Sequence, residues 1–190
     1  MRVLLIQPPV DLFDDDEKQS MPPLGLAYIA AALEQAGHEV AILDCVVAAF
    51  QHLRLLLDGR LRHGLEAEGI TRELRTFRPQ LVGVSNLFSA QSEAAHDVCR
   101  LVKETDPATV TVMGGAHPSA VPGEVLTDPH VDYVVQGEGE SAMLRLANAL
   151  PHGRRVPDDP AGLAYRDDGA IRVCPPGPPL ADLDSLPLPA

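Results

Sequence analysis

VTVMGGAHPSAVPGEVL, residues Val110–Leu126, runs from an apolar β-branched segment into two glycines, a histidine and a proline. Thr109–Met113 reads as a strand, and two Cα atoms without side chains at a strand's end place something close against the backbone. That neighbour is a helix, another strand or a ligand. Pro118 opens the next helical turn, and Pro122–Leu126 is predicted as a short helix. A strand followed by a turn and a helix is the unit of an α/β protein, so the question is whether the unit recurs.

It does. Val3–Gln7 reads as a first strand, and Pro22–Gly37 as a helix with prolines in its first turn and Gly37 as its stop. Leu26, Ile29, Ala30 and Leu33 in that helix follow helical spacing. Glu39–Leu43 is the second strand. Val46–Phe77 is predicted to hold two helical stretches, broken near Asp58-Gly59 and at Gly64. LVGVS, Leu81–Ser85, is the third strand, an unbroken apolar run of the kind buried on both faces. Ser89–Glu104 is a helix that Ser89 would cap. Val131–Val135 is the fifth strand, and Glu138–Leu150 the closing helix.

Five strands, each followed by helical sequence, predict an α/β fold: a Rossmann-like, flavodoxin-like five-stranded parallel sheet with helices on both faces, over residues 1–150. In residues 151–190, Gly162–Val173 reads as a small hairpin turning at Asp168-Gly169. Cys174–Ala190 is a Pro-rich linker that leads toward a further domain.

The composition bounds the function. Apolar residues make up 45% and charged residues 22%, as in a globular protein, and the net charge of −12 would be repelled by nucleic acid. No run is long enough for a membrane span, and RVLLIQPP is too short for a signal peptide, so a cytoplasmic protein is predicted. Cys45, Cys99 and Cys174 show neither a CxxC pair nor a zinc spacing, and no iron–sulfur cluster can be built from them.

Ligands of open α/β sheets bind beyond the carboxyl ends of the strands. The loop after strand one has no GxGxxG and no phosphate cradle, which counts against a dinucleotide site. Its acidic run, Asp14–Glu17, lacks a spaced ligand set and reads as a solvated loop rather than a metal site. After strand three, a two-component receiver would need an acceptor aspartate and finds Ser85. Ser85 and Asn86 there offer small polar groups, and Leu87 and Phe88 apolar surface. After strand four come Gly114, Gly115 and His117, the last being a ligand or a structural histidine. After strand five, Gly137, Glu138, Gly139 and Glu140 make a tight turn at a helix N-terminus, suited to a polar or phosphate group or to capping. Together these loops outline a broad, shallow, Gly-lined surface suited to a large flat ligand.

PPLGLAYIAAALEQAGHEVAILD, FRPQLVGVSNLF, VMGGAHPSAVPGEVL and VDYVVQGEGE, in that order, resemble the N-terminal cobalamin-binding domain of B12-dependent radical SAM enzymes. GLAYRDDGAIRV and LADLDSLPLPA resemble the hairpin and bridge that lead into the radical SAM barrel. The resemblance covers essentially the whole chain. It implies cobalamin as cofactor, a radical SAM domain or subunit as partner, and methyl transfer as the chemistry. Ser85 and Leu87 would then lie along the dimethylbenzimidazole tail, and Gly114 and Gly115 would let that tail slide between strand and helix. Gly137–Glu140 would hold the ribose or phosphate end. Gln7, Pro8, Pro9 and Val10, with Pro22, Pro23, Leu24 and Gly25, would edge the corrin ring.

Two departures qualify this. The Asp-x-His-x-x-Gly motif that supplies a lower cobalt ligand in other cobalamin modules is missing. Asp128-Pro129-His130 only mimics its start, since Tyr133 stands where the glycine should be. No CxxxCxxC occurs, so the chain is not a complete radical enzyme by itself. The alternatives are a non-catalytic interaction domain of the same fold that has lost the corrinoid, and a flavin or nucleotide binder.

Overall fold

The computed structural model describes residues 1–13, 16–177 and 186–190. In chain order the elements are β1 (Arg2–Gln7), β2 (Val10–Leu12), α1 (Leu24–Gln35), β3 (Glu39–Asp44), α2 (Cys45–Ala48), β4 (Leu53–Leu55), β5 (Leu61–His63) and α3 (Ala67–Phe77). They continue with β6 (Leu81–Ser85), α4 (Ser92–Thr105), β7 (Val110–Gly114), α5 (Ala116–Ala120), α6 (Pro122–Val125), β8 (Tyr133–Val135), α7 (Gly139–Ala149), β9 (Leu163–Asp167) and β10 (Ala170–Val173).

The five strands expected from the sequence pair in parallel in the order β3-β1-β6-β7-β8, the flavodoxin-like order. Their side chains alternate between two apolar layers, as a strand's period of two requires. Leu4, Ile6, Val82, Val84 and Met113 meet Ile70 and Leu74 of α3 and Val98 and Val102 of α4. Val3, Leu5, Leu81, Val112 and Val135 meet Leu26, Ala30 and Leu33 of α1 and Met143 and Leu146 of α7. Both faces are covered by helices, as expected of strands that carry almost no polar residues.

Two expectations need correction. The sheet has seven strands, not five. The hairpin β9–β10, turning at Asp168-Gly169 with both φ values positive, pairs antiparallel onto the exposed edge of β8. Leu163 and Ala164 are thereby fully buried, so the hairpin belongs to the core rather than standing beside it. Between β3 and α3, the first predicted helical stretch is helical only over α2; β4 and β5 follow it and join β2, from the loop after β1, in a second, three-stranded antiparallel sheet in the order β2-β5-β4. Leu53-Arg54-Leu55 and Leu61-Arg62-His63 alternate across the turn at Asp58-Gly59, where Gly59 has φ +90°. Alternation outweighed helix propensity.

Charge holds this small sheet in place. Arg54 and Arg62 lie directly opposite each other, a repulsive pairing unless acids intervene. Glu66 takes Arg54 at 3.1 Å, and Asp11, fully buried on β2, takes Arg62 at 2.7 Å. Asp97 on α4 completes the set at 2.6 Å from Arg62 and 3.0 Å from Arg100. Burial pushes the Asp97 carboxyl up, but Arg62 and Arg100 outweigh it, so its net displacement is below the usual carboxylate value. A carboxyl depressed in the folded state contributes stability that is full above its unfolded value, about 3.9. That contribution is lost as pH falls through the folded value. Stability followed by urea unfolding should therefore decline below about pH 4, with a shallower decline in Asp97→Asn; an identical acid limb in the variant contradicts this assignment.

Candidate cofactor-binding site

Strand order reverses between β1 and β6, and beyond the strand ends there opens a cleft of about 1130 Å³. Its depth is lined by Leu5, Gly83, Val112 and Val135 on the sheet, and by Leu26 and Ile29 of α1 and Met143 of α7. All but Gly83 belong to the apolar layer between the sheet and α1/α7, and a Cβ at Gly83 would meet Leu5 and Met143 of that layer. The site is therefore a slot between strand and helix as well as a surface, and it is deeper than the shallow platform the sequence suggested.

Eighteen of the nineteen residues singled out from the sequence line this cleft: Gln7, Pro8, Pro9, Val10, Pro22, Pro23, Leu24, Gly25, Ser85, Asn86, Leu87, Phe88, Gly114, Gly115, Gly137, Glu138, Gly139 and Glu140. They converge because β1, β6, β7 and β8 all end at the same edge. His117 is the exception and is absent from the lining. Its Nδ1 meets Ser89 Oγ at 2.9 Å and its Nε2 meets Ser92 Oγ at 3.2 Å, so it ties α5 to the start of α4. Ser89 is accordingly not the helix cap; α4 begins at Ser92 behind Gln91, with no side-chain cap.

The two glycines of Val110–Leu126 do different work. Gly115 has φ +118°, and a Cβ there would stand 2.5 Å from the Asn86 carbonyl oxygen. Its close neighbour is the protein's own loop, locked by the Asn86 N–H donating to the Gly114 carbonyl (2.7 Å) and the His117 N–H donating to that of Asn86 (3.3 Å). A Cβ at Gly114 would meet Val135 only at ordinary contact, 3.8 Å, and a longer side chain would grow into the cleft.

Other lining residues escaped the sequence reading. Gly83 sits where a Cβ would meet Leu5 at 2.8 Å and Met143 at 3.4 Å; a glycine inside a buried strand is its signal. Ser119 Oγ donates to the Gly115 carbonyl at 2.7 Å and accepts the Gly137 N–H at 3.0 Å, joining two loops and occupying an amide that sequence reading assigned to ligand. Gln91 holds the rim near β2, its amide group accepting from the Asp11 N–H at 2.7 Å and donating to the Asp11 carbonyl at 3.1 Å. No local pattern announces either contact, because each bridges distant segments.

The lining carries Asp44, Glu138 and Glu140 and, among the described residues, no lysine or arginine. Asp44 is satisfied locally, accepting the Val46 and Val47 N–H groups at 2.9 and 3.0 Å as the cap of α2. Asp128 and His130 lie before β8, at the opposite edge of the sheet, where Asp128 accepts from or pairs with His96 at 2.6 Å and His130 at 2.7 Å. Of the acidic run, Asp16 and Glu17 are exposed, and Asp14 and Asp15 lie outside the described residues. Among the described residues no group of three or more His, Cys, Asp or Glu could hold a metal ion. Burial pushes the Cys45 thiol up to about 12 and that of Cys99 higher still, so both are neutral. No helix among the described residues is long and apolar enough to cross a membrane.

Residues 17–147 match the family model of the B12 binding domain. The chain belongs to that family. This B12 binding domain is 38% identical over 92% of its length to cytidylyl-2-hydroxyethylphosphonate methyltransferase of Streptomyces wedmorensis, of which it covers 33%. It is 30% identical over 98% of its length to anaerobic magnesium-protoporphyrin IX monomethyl ester cyclase of Rubrivivax gelatinosus, covering 32% of that protein. The domain thus spans about a third of the length of these curated relatives. Its fold is shared with the radical S-adenosylmethionine methyltransferase TsrM from Kitasatospora setae, solved with cobalamin and a [4Fe-4S] cluster (TM-score 0.69, 22% identity, all of this chain and 31% of that one). It is shared too with the cobalamin-dependent S-adenosylmethionine radical enzyme OxsB, solved with aqua-cobalamin (TM-score 0.74, 16% identity, 99% of this chain and 24% of that one).

The unequal glycines give a direct check. In urea unfolding, Gly115→Ala is expected to lose about 2 kcal/mol or more through backbone strain and overlap, and Gly114→Ala less than about 1 kcal/mol. Equal stability for the two variants would contradict the geometry.

Proposed function

We propose that this chain binds a cobalamin with its nucleotide tail in the slot between β6, β7 and the α1/α7 layer, and presents the corrin face to a radical SAM domain. The observation that carries this reading is the bare Gly114 wall of a cleft larger than the roughly 300–1,000 Å³ of ordinary small-molecule pockets. The lining is mostly apolar and, among the described residues, free of lysine and arginine, which suits a bulky, amide-fringed macrocycle better than a phosphate-terminated nucleotide.

In this reading Ser85, Asn86 and Leu87 flank the benzimidazole, Gly114 leaves its path open, and Gly137–Glu140 approach the ribose. Gln7–Pro9 and Pro23–Gly25 edge the ring. When bound, cobalamin supplies cobalt as a methyl carrier; the protein binds, orients and shields it from water. Methyl transfer is favoured by the methyltransferase among the relatives. Residues 1–173, with the docked β9–β10 hairpin, form the carrier unit and 174–190 lead toward the radical SAM domain, in the same longer protein or on another subunit. That partner supplies the iron–sulfur cluster for which this chain has no CxxxCxxC.

Incubation with hydroxocobalamin, desalting and visible spectroscopy test the reading. The parent chain should retain corrin absorbance near one equivalent, and Gly114→Leu should fold with an unchanged circular dichroism spectrum yet elute colourless. A colourless parent, or full retention by folded Gly114→Leu, overturns it.

A further inference from the structure

Leu5, Gly83 and Val112 are direct cross-strand partners, one row across β1, β6 and β7, and all three line the cleft. The row lies two residues below Gln7, Ser85 and Gly114, so the cleft reaches about 7 Å beneath the strand ends. Leu26 and Ile29 of α1 and Met143 of α7 form the opposite wall. No polar side chain stands at this depth. Gln7 and Ser85 end their strands, and Glu140 precedes Met143 by about one turn of α7. The Asn86 amide is turned away, toward Met113 Sδ at 3.7 Å in the other apolar layer. The backbone offers nothing either. Each residue of the row stands between two paired strands, so its N–H and C=O groups are committed to the sheet. A Cβ on Gly83 would meet Met143 Cε at 3.4 Å, so the Met143 methyl lies over bare backbone at the end of the slot.

We propose that this slot selects a corrinoid by its lower base, accepting a benzimidazole and rejecting a purine, with Met143 as a specificity-determining residue. This rests on the corrinoid reading above and deepens it, naming the class of base the slot takes. The six-membered ring of dimethylbenzimidazole is carbon throughout and carries only methyl groups, so enclosing it gives up no hydrogen bond with water. The corresponding ring of adenine carries nitrogens and an amine. Enclosed in the slot, these would lose water and find neither side chain nor backbone to replace it. Discrimination of this kind comes from the cost laid on the wrong ligand as much as from contacts to the right one. Met143 suits the task, since its thioether adapts to a flat apolar ring yet donates no hydrogen bond and accepts one only weakly.

The test titrates the parent with hydroxocobalamin and with its counterpart carrying adenine as the base, each followed by visible absorbance. The benzimidazole form should bind about ten- to a hundredfold more tightly, the penalty for burying unpaired polar groups. Met143→Gln, which sets an amide donor and acceptor in the wall, should narrow that ratio about fivefold. Should circular dichroism show that Met143→Gln does not fold, Val112→Thr serves in its place, adding a hydroxyl to the same wall with almost no change of shape. Equal affinities in the parent overturn the inference, as does a parental ratio kept by the folded variant. Gly114→Leu separates the two readings. If it binds neither corrinoid while the parent binds both equally, base selection falls and the corrinoid reading stands. A parent that binds neither overturns both.

Discussion

The backbone of Gly115 lies so near that of Asn86 that one added methyl group would meet its carbonyl oxygen at 2.5 Å. Two loops from neighbouring strands can approach this closely only if one lacks a side chain and adopts a positive φ. From that contact the rest of the site follows. Asn86 is held at the end of β6, the Gly114–Gly115 turn is held at the end of β7, and the space in front of Gly114 stays open because neither loop can relax into it.

The remaining rims are pinned in the same way, each by a neighbour rather than by ligand. Gln91 grips both backbone groups of Asp11, which is itself buried against Arg62. His117 braces the start of α4 through two serine hydroxyls, and Ser119 ties the glycine turn after β7 to that after β8. The cleft is thus preformed, which reduces the ordering cost that a large ligand would otherwise impose. Its depth is apolar, and no lysine or arginine lines it among the described residues.

Much of this was legible in the sequence because strand and helix periods are local. LVGVS and VDYVV announce doubly buried strands by composition alone, and the glycine-rich turns at the ends of β7 and β8 announce where the cleft opens. The small sheet was missed since LRLLL, Leu53–Leu57, carries enough leucine to read as helix, although Asp58-Gly59 carries the same turn signal that was recognised at Asp168-Gly169. The docking of β9 onto β8 was not legible, because an open sheet edge leaves no mark on the residues that will cover it. His117 was ambiguous for a related reason: a histidine's partners, here Ser89 and Ser92, lie 25 residues or more away in the chain. Gly114 and Gly115 look alike in the sequence, and only the fold separates the one that opens the cleft from the one that closes two loops together.

The central claim is that the slot between sheet and helices takes the nucleotide tail of the cofactor. Comparing the affinity of the chain for cobalamin with that for cobinamide, which has the corrin ring but no nucleotide, measures this directly. A tail seated in the slot predicts binding of cobalamin at least about a hundredfold tighter, from the apolar surface buried there. Equal affinities would mean that only the ring is recognised, and would contradict the account.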